Sequence, residues 1–206
     1  MRTTRYVALR LPEAKRYADL TGVLTDLRDV KSLCERFLKQ FDSVADPDWA
    51  DLEVLCVAAI IRYGRIFPPG VRKGIDHQLT TKLAAEDLAA HEFFKNCRDK
   101  WIAHSVNPFE ENQLIVWLRP RELPGSPVVG VAIQQIRITS LGPPDMKRLL
   151  ALSSTLAKLV EAELLLERET VERIVTRMDP DFLHDLPDAS QAELSSNKVA
   201  GKARKQ

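Results

Sequence analysis

Glycine is scarce: 8 residues in a chain of 206, never grouped as GxGxxG or GxxxxGK. That excludes a glycine-rich loop cradling phosphates. Cysteine is scarcer. Cys34, Cys56 and Cys97 are too few and too scattered for a disulfide scaffold, and with no CxxC pair there is no zinc ribbon. HExxH is missing, since His91-Glu92 lacks a second His, and the four His (His77, His91, His104, His184) are dispersed. No metal and no cofactor is expected. GxSxG is missing too, so no serine nucleophile elbow is expected. No apolar run approaches the roughly 18–20 residues of a membrane span. The longest, Val54 to Ile61, stops at Arg62. The basic N-terminus, Met1 to Arg5, has no apolar stretch behind it, so no signal peptide is expected and the location expected is cytoplasmic. Charge of one sign is lacking as well: 30 Lys+Arg face 29 Asp+Glu. A whole-molecule polycation is excluded; a local basic patch is not.

What the chain does have is apolar periodicity. A hydrophobic fraction of 45% with 29% charged residues suits one soluble globular domain. Residues 1–11 partly alternate and suggest a short strand. From Pro12 to Phe41, Leu20, Leu24, Leu27, Val30, Cys34, Phe37, Leu38 and Phe41 fall on one helical stripe. Asp46-Pro47 reads as the start of a second helix, with Asp46 as its cap. Leu52, Leu55, Cys56, Ala59, Ile60, Tyr63 and Phe67 follow on one face, and Pro68-Pro69-Gly70 ends it. A third helix is predicted from about Thr81 to His104, buried through Leu83, Ala90, Phe94, Cys97 and Trp101. Residues 113–140 switch to a β pattern, a hairpin with a long Pro/Gly turn. Gly142-Pro143-Pro144-Asp145 opens a fourth long helix ending near Met178-Asp179-Pro180. The chain thus reads as a mainly α protein: a four-helix bundle over residues 1–185, with the hairpin between its third and fourth long helices. Residues 186–206, ending in Lys198, Lys202, Arg204 and Lys205, read as a disordered basic tail.

One segment concentrates chemistry at the end of the third helix: Arg98-Asp99-Lys100-Trp101-Ile102-Ala103-His104-Ser105. An Arg, a following polar residue and a His after a spacer of four resemble the motif of the HEPN superfamily. The helical order from Pro12 to Met178 is similar to it too. The wording of the motif looks most like the AbiU2-type branch, linked with abortive phage infection. The resemblance implies metal-independent RNA cleavage by a homodimer with both motifs at a shared cleft, in a toxin–antitoxin or phage-defence setting with a possible antitoxin protein. In that chemistry His104 is general acid or base toward the ribose 2′-hydroxyl. Arg98 binds the phosphate and stabilises its growing charge. Asp99 orients His104 or its mate, and the need for a 2′-hydroxyl restricts the substrate to RNA. Some HEPN toxins carry a Tyr two positions after the motif His that an antitoxin modifies. Here that position is Val106, which sets such regulation aside.

Helix arithmetic adds a constraint. At about 100° per residue, His104 lies on the stripe of Phe94, Cys97 and Trp101, while Arg98 flanks it about 120° away. One straight helix does not bring Arg98 and His104 together; two copies about a two-fold axis do. Arg62, Arg65, Arg72 and Lys73, with Lys100, form the best candidate for an RNA-backbone groove. Each assignment has a bland counterpart. His104 suits a packed or helix-capping histidine. Arg98-Asp99-Lys100 suits a solvated turn, and Arg62 and Arg65 suit helix C-terminal charge. Tyr63 suits core packing better than stacking on a base. His91 and Glu92 read as surface residues without a role, and His77 as a loop residue beside basic neighbours, with phosphate contact as its functional reading. The rival function is a non-catalytic helical homodimer, a protein- or RNA-binding module.

Overall fold

The computed structural model describes residues 4–43, 45–67, 74–102, 110–137 and 139–189. The chain is mainly helical with one two-stranded hairpin.

A 3₁₀ turn, Pro12–Ala14, leads into helix α1, Lys15–Ser43. Its buried face is Leu20, Val23, Leu24, Leu27, Val30, Cys34 and Phe37, spaced as a helix facing a core requires. Helix α2, Trp49–Gly64, buries Leu52, Leu55, Cys56, Ala59, Ile60 and Tyr63. Its cap corrects the sequence expectation. Asp48, not Asp46, accepts from the backbone N–H of Ala50 at 2.9 Å and Asp51 at 3.4 Å. Only a carboxylate immediately before Trp49 reaches those two orphan donors. α1 and α2 run antiparallel, tied at one end by Gln40–Asp51 and at the other by Arg62–Asp26.

The third helix is broken where the sequence suggested one piece. A short helix α3, His77–Thr80, is followed by α4, Ala85–Asn96, and then by a π-helical turn, Cys97–Ile102. Helix α5, Pro143–Thr176, is the longest element and lies along α1, with Arg28 reaching Glu161 at 3.4 Å. α4 leans on both α2 and α5. There Arg148 sits over the Phe93 ring at 5.6 Å, and Leu141 N–H donates to Cys56 Sγ at 3.4 Å. One continuous core joins α1, α2, α4, the π turn and α5.

Strands β1, Glu110–Leu118, and β2, Val128–Arg137, pair antiparallel, with Leu114 opposite Ile133 and Val116 opposite Val131. The register slips between Trp117 and Leu118. At the turn Gly125 adopts φ 109°, which side chains rarely allow. Trp117 lies over Gly130 and fills the space its missing side chain leaves. The strands pack chiefly on each other.

Residues 5–8 meet residues 184–189. Ala8 N–H donates to Pro187 O and Ala189 N–H to Tyr6 O, each at 2.9 Å. Arg5 grips Asp188 at 2.6 Å and the carbonyls of His184 and Leu186. The expected N-terminal strand is thus a single bridge at Val7. Residues 186–189, expected to begin the tail, are held in it; residues 190–206 lie outside the described residues. After α5 comes a short helix α6, Pro180–Asp185, capped by Asp179. Among the described residues no helix is long and apolar enough to cross a membrane.

Candidate functional site

Arg98, Asp99 and Lys100 sit on the outer side of the π turn, while Cys97 and Trp101 of the same turn are buried. A π turn bonds i to i+5 instead of i to i+4 and often marks a functional position. It also shifts the phase of every later residue. The stripe arithmetic that aligned His104 with Cys97 assumed an unbroken α-helix, so it does not carry past Cys97. His104 itself, with Arg72 and Lys73, lies outside the described residues.

Arg98 is placed by what α2 lacks. A Cβ on Gly64 would stand 2.6 Å from Arg98 Cγ and 3.1 Å from its Cδ. The arginine stem therefore crosses the last residue of α2 where any side chain would block it. Its head ends near a helix C-terminus, where a cation is favoured. Arg98 Nη1 donates to Asp99 Oδ1 at 2.6 Å, both side chains being about half exposed. Asp99 thus serves Arg98. That bond takes one of the five guanidinium N–H groups and leaves the fork able to meet an oxyanion. Arg65, which follows Gly64 in the chain, is exposed.

Arg62 does not join them. It turns to α1 and meets Asp26 and Asp29, each at 3.2 Å. Asp26 is buried, so the Arg62 charge is spent holding a carboxylate inside the bundle. Of the five residues of the basic groove expected from sequence, Arg65 and Lys100 are exposed among the described residues. Arg62→Met should lower stability by about 1–3 kcal/mol, because it strips a buried carboxylate of its guanidinium. Urea denaturation of the variant checks this; an unchanged midpoint would return Arg62 to the groove.

Beneath the notch is a pair the sequence did not reveal. Tyr63 is fully buried, as its stripe position suggested, and its hydroxyl meets His91 Nδ1 at 2.9 Å. His91, expected at the surface, is buried; Glu92 is exposed as expected. Phe67 lies 4.5 Å from the His91 ring centroid, and Phe94 packs edge-on to Tyr63. The available signal was spacing, since His91 stands three residues before Phe94 on the buried side of α4. His77 opens α3, and its side chain lies outside the described residues.

Burial pushes the Tyr63 phenol up. It also pushes Cys34 up to about 12 and Cys97 up to about 11. Burial raises Cys56 as well, opposed by the Leu141 N–H bond. All three cysteines are free and stay as thiols, poor nucleophiles. His91 is held below its ordinary 6.5, mainly by burial, with Glu92 opposing. Above 6.5 the ring is neutral in both folded and unfolded chains. Below it the unfolded chain takes a proton the folded one resists, so stability falls as pH drops. In urea titrations at pH 7.5 and 5.5, His91→Gln should flatten this loss. Equal slopes in both proteins would refute it.

Among the described residues no group of three His, Cys, Asp or Glu is placed to hold a metal ion. Comparison with protein-family models, with curated proteins and with solved structures finds no match.

Proposed function

We propose that this chain is a HEPN-like, metal-independent endoribonuclease, acting as a homodimer in a toxin–antitoxin or phage-defence setting. The observation that carries the proposal is the exposed Arg98–Asp99 pair, set on a π turn and lodged across Gly64. Asp99 fixes the guanidinium in direction, and the Gly64 notch fixes its stem. A phosphate arriving there meets a preorganised fork, which is what stabilisation of a pentacoordinate phosphorane requires. His104, two residues beyond the turn, removes the 2′-hydroxyl proton and returns one to the leaving 5′-oxygen. The ribose oxygen bonds to phosphorus as the P–O5′ bond breaks, giving a 2′,3′-cyclic phosphate. No outside reactant is consumed in that step.

The test is cleavage of RNA by purified protein in excess EDTA, with His104→Ala and Gly64→Ala alongside. Wild type should cut and His104→Ala should lose about 10²–10⁴-fold. Gly64→Ala removes no charge, yet a methyl group there displaces the Arg98 stem. Its cleavage should drop while its helical signal stays. RNA left intact by wild type, or cut equally by all three, would refute the proposal. The second proposal, a non-catalytic dimeric binding module, is favoured by one observation. The ion pairs of Arg62 with Asp26 and Asp29 withdraw charge from the groove.

A further inference from the structure

Among the described residues, the hairpin leaves an aliphatic face without a partner. Leu114, Val116 and Leu118 of β1 and Val131 and Ile133 of β2 point to the same side, by strand alternation and by the pairings Leu114–Ile133 and Val116–Val131. They are 42–68% exposed. No charged residue interrupts 112–118 or 128–136. Such a face is unusual for a solvated strand pair, which normally carries charge outward. A lone two-stranded hairpin is also marginal in water.

We propose that this face packs against the same face of a second copy of the chain about a two-fold axis. Three features select a second copy as the occupant. The contact of a two-fold pair must be self-complementary, and a flat uncharged aliphatic surface meets its own image without repulsion. The residues next along this face toward the hairpin base are Asn112 and its cross-strand partner Gln135, neutral amides that carry no like charge into the contact. The area also suits: covering the five side chains removes roughly 500 Å² per copy. That is about 1,000 Å² for the pair, where specific interfaces begin. Two hairpins stacked this way form a small two-layer β unit with a core, about 10 Å between sheets. The contact uses none of Arg98, Asp99 or His104, so it does not depend on RNA cleavage.

Sedimentation equilibrium of the full chain tests it, with wild type beside Val116→Lys, Leu114→Lys and Gln113→Lys. Wild type should be a dimer. The first two variants place an ammonium inside the contact and should raise the dissociation constant at least about a hundredfold, with helical circular dichroism unchanged. Gln113→Lys, on the opposite face, should behave as wild type. A monomeric wild type, or a dimer indifferent to Val116→Lys and Leu114→Lys, would overturn the proposal. The RNA cleavage assay is a separate readout, so failure of the nuclease proposal would leave these masses unchanged.

Discussion

Arg98→Ala should lower RNA cleavage by about 10²–10³-fold in excess EDTA, while the melting temperature moves little. The rate effect follows from the role proposed for the guanidinium: removing one preorganised donor to a developing oxyanion costs a factor of that order. The small stability effect follows from exposure. The Arg98–Asp99 ion pair is half in solvent, where such pairs contribute little. Some stem packing over Gly64 is lost. Arg98→Lys is the informative companion. It keeps the stem and the charge but loses the planar fork, so it should recover stability more fully than activity. A variant that cuts RNA at the wild-type rate would remove Arg98 from the chemistry.

Phe94→Ala should destabilise the fold by about 3–5 kcal/mol, the usual cost of emptying a buried aromatic site. Phe94 is fully buried. It touches Phe93 and Tyr63 with ring centroids 5.1 and 6.1 Å apart. It lies three residues before the π turn, so it pins the turn to α2 as well as filling space. Thermal melting should fall by roughly 10 °C for a chain of this size. Below the new midpoint, cleavage should fall too, because the Gly64 notch and Arg98 are brought together by this same contact between α2 and α4. A loss under about 1 kcal/mol would mean that the site collapses on the cavity.

Much of this was legible beforehand. The stripes of α1 and α2 were read almost residue by residue, because a helix facing a core needs an apolar residue every three or four positions and these helices have few exceptions. The hairpin was legible from its change of period and its Pro/Gly turn. The fourth helix was legible from Gly142-Pro143-Pro144-Asp145. Three points were not. The Asp48 cap sits two residues from an equally good candidate, and local sequence does not separate them. The π turn adds one residue to a helix whose composition is ordinary. His91 is polar and followed by Glu92, so it reads as surface until the packing of Phe67 and Tyr63 is known.

By itself, the sequence determined that the chain is mainly helical, which faces of α1 and α2 are buried, and that a hairpin precedes the last long helix. It did so because backbone period and side-chain burial are local and repeat along the chain. Only the tertiary structure decided what the charged residues do. Arg62 and Arg65 are three apart in the chain, yet Arg62 closes on Asp26 of α1 while Arg65 stays exposed. Which partner a guanidinium finds depends on the neighbouring helix across the contact. That neighbour lies tens of residues away in the chain, beyond the reach of any local pattern.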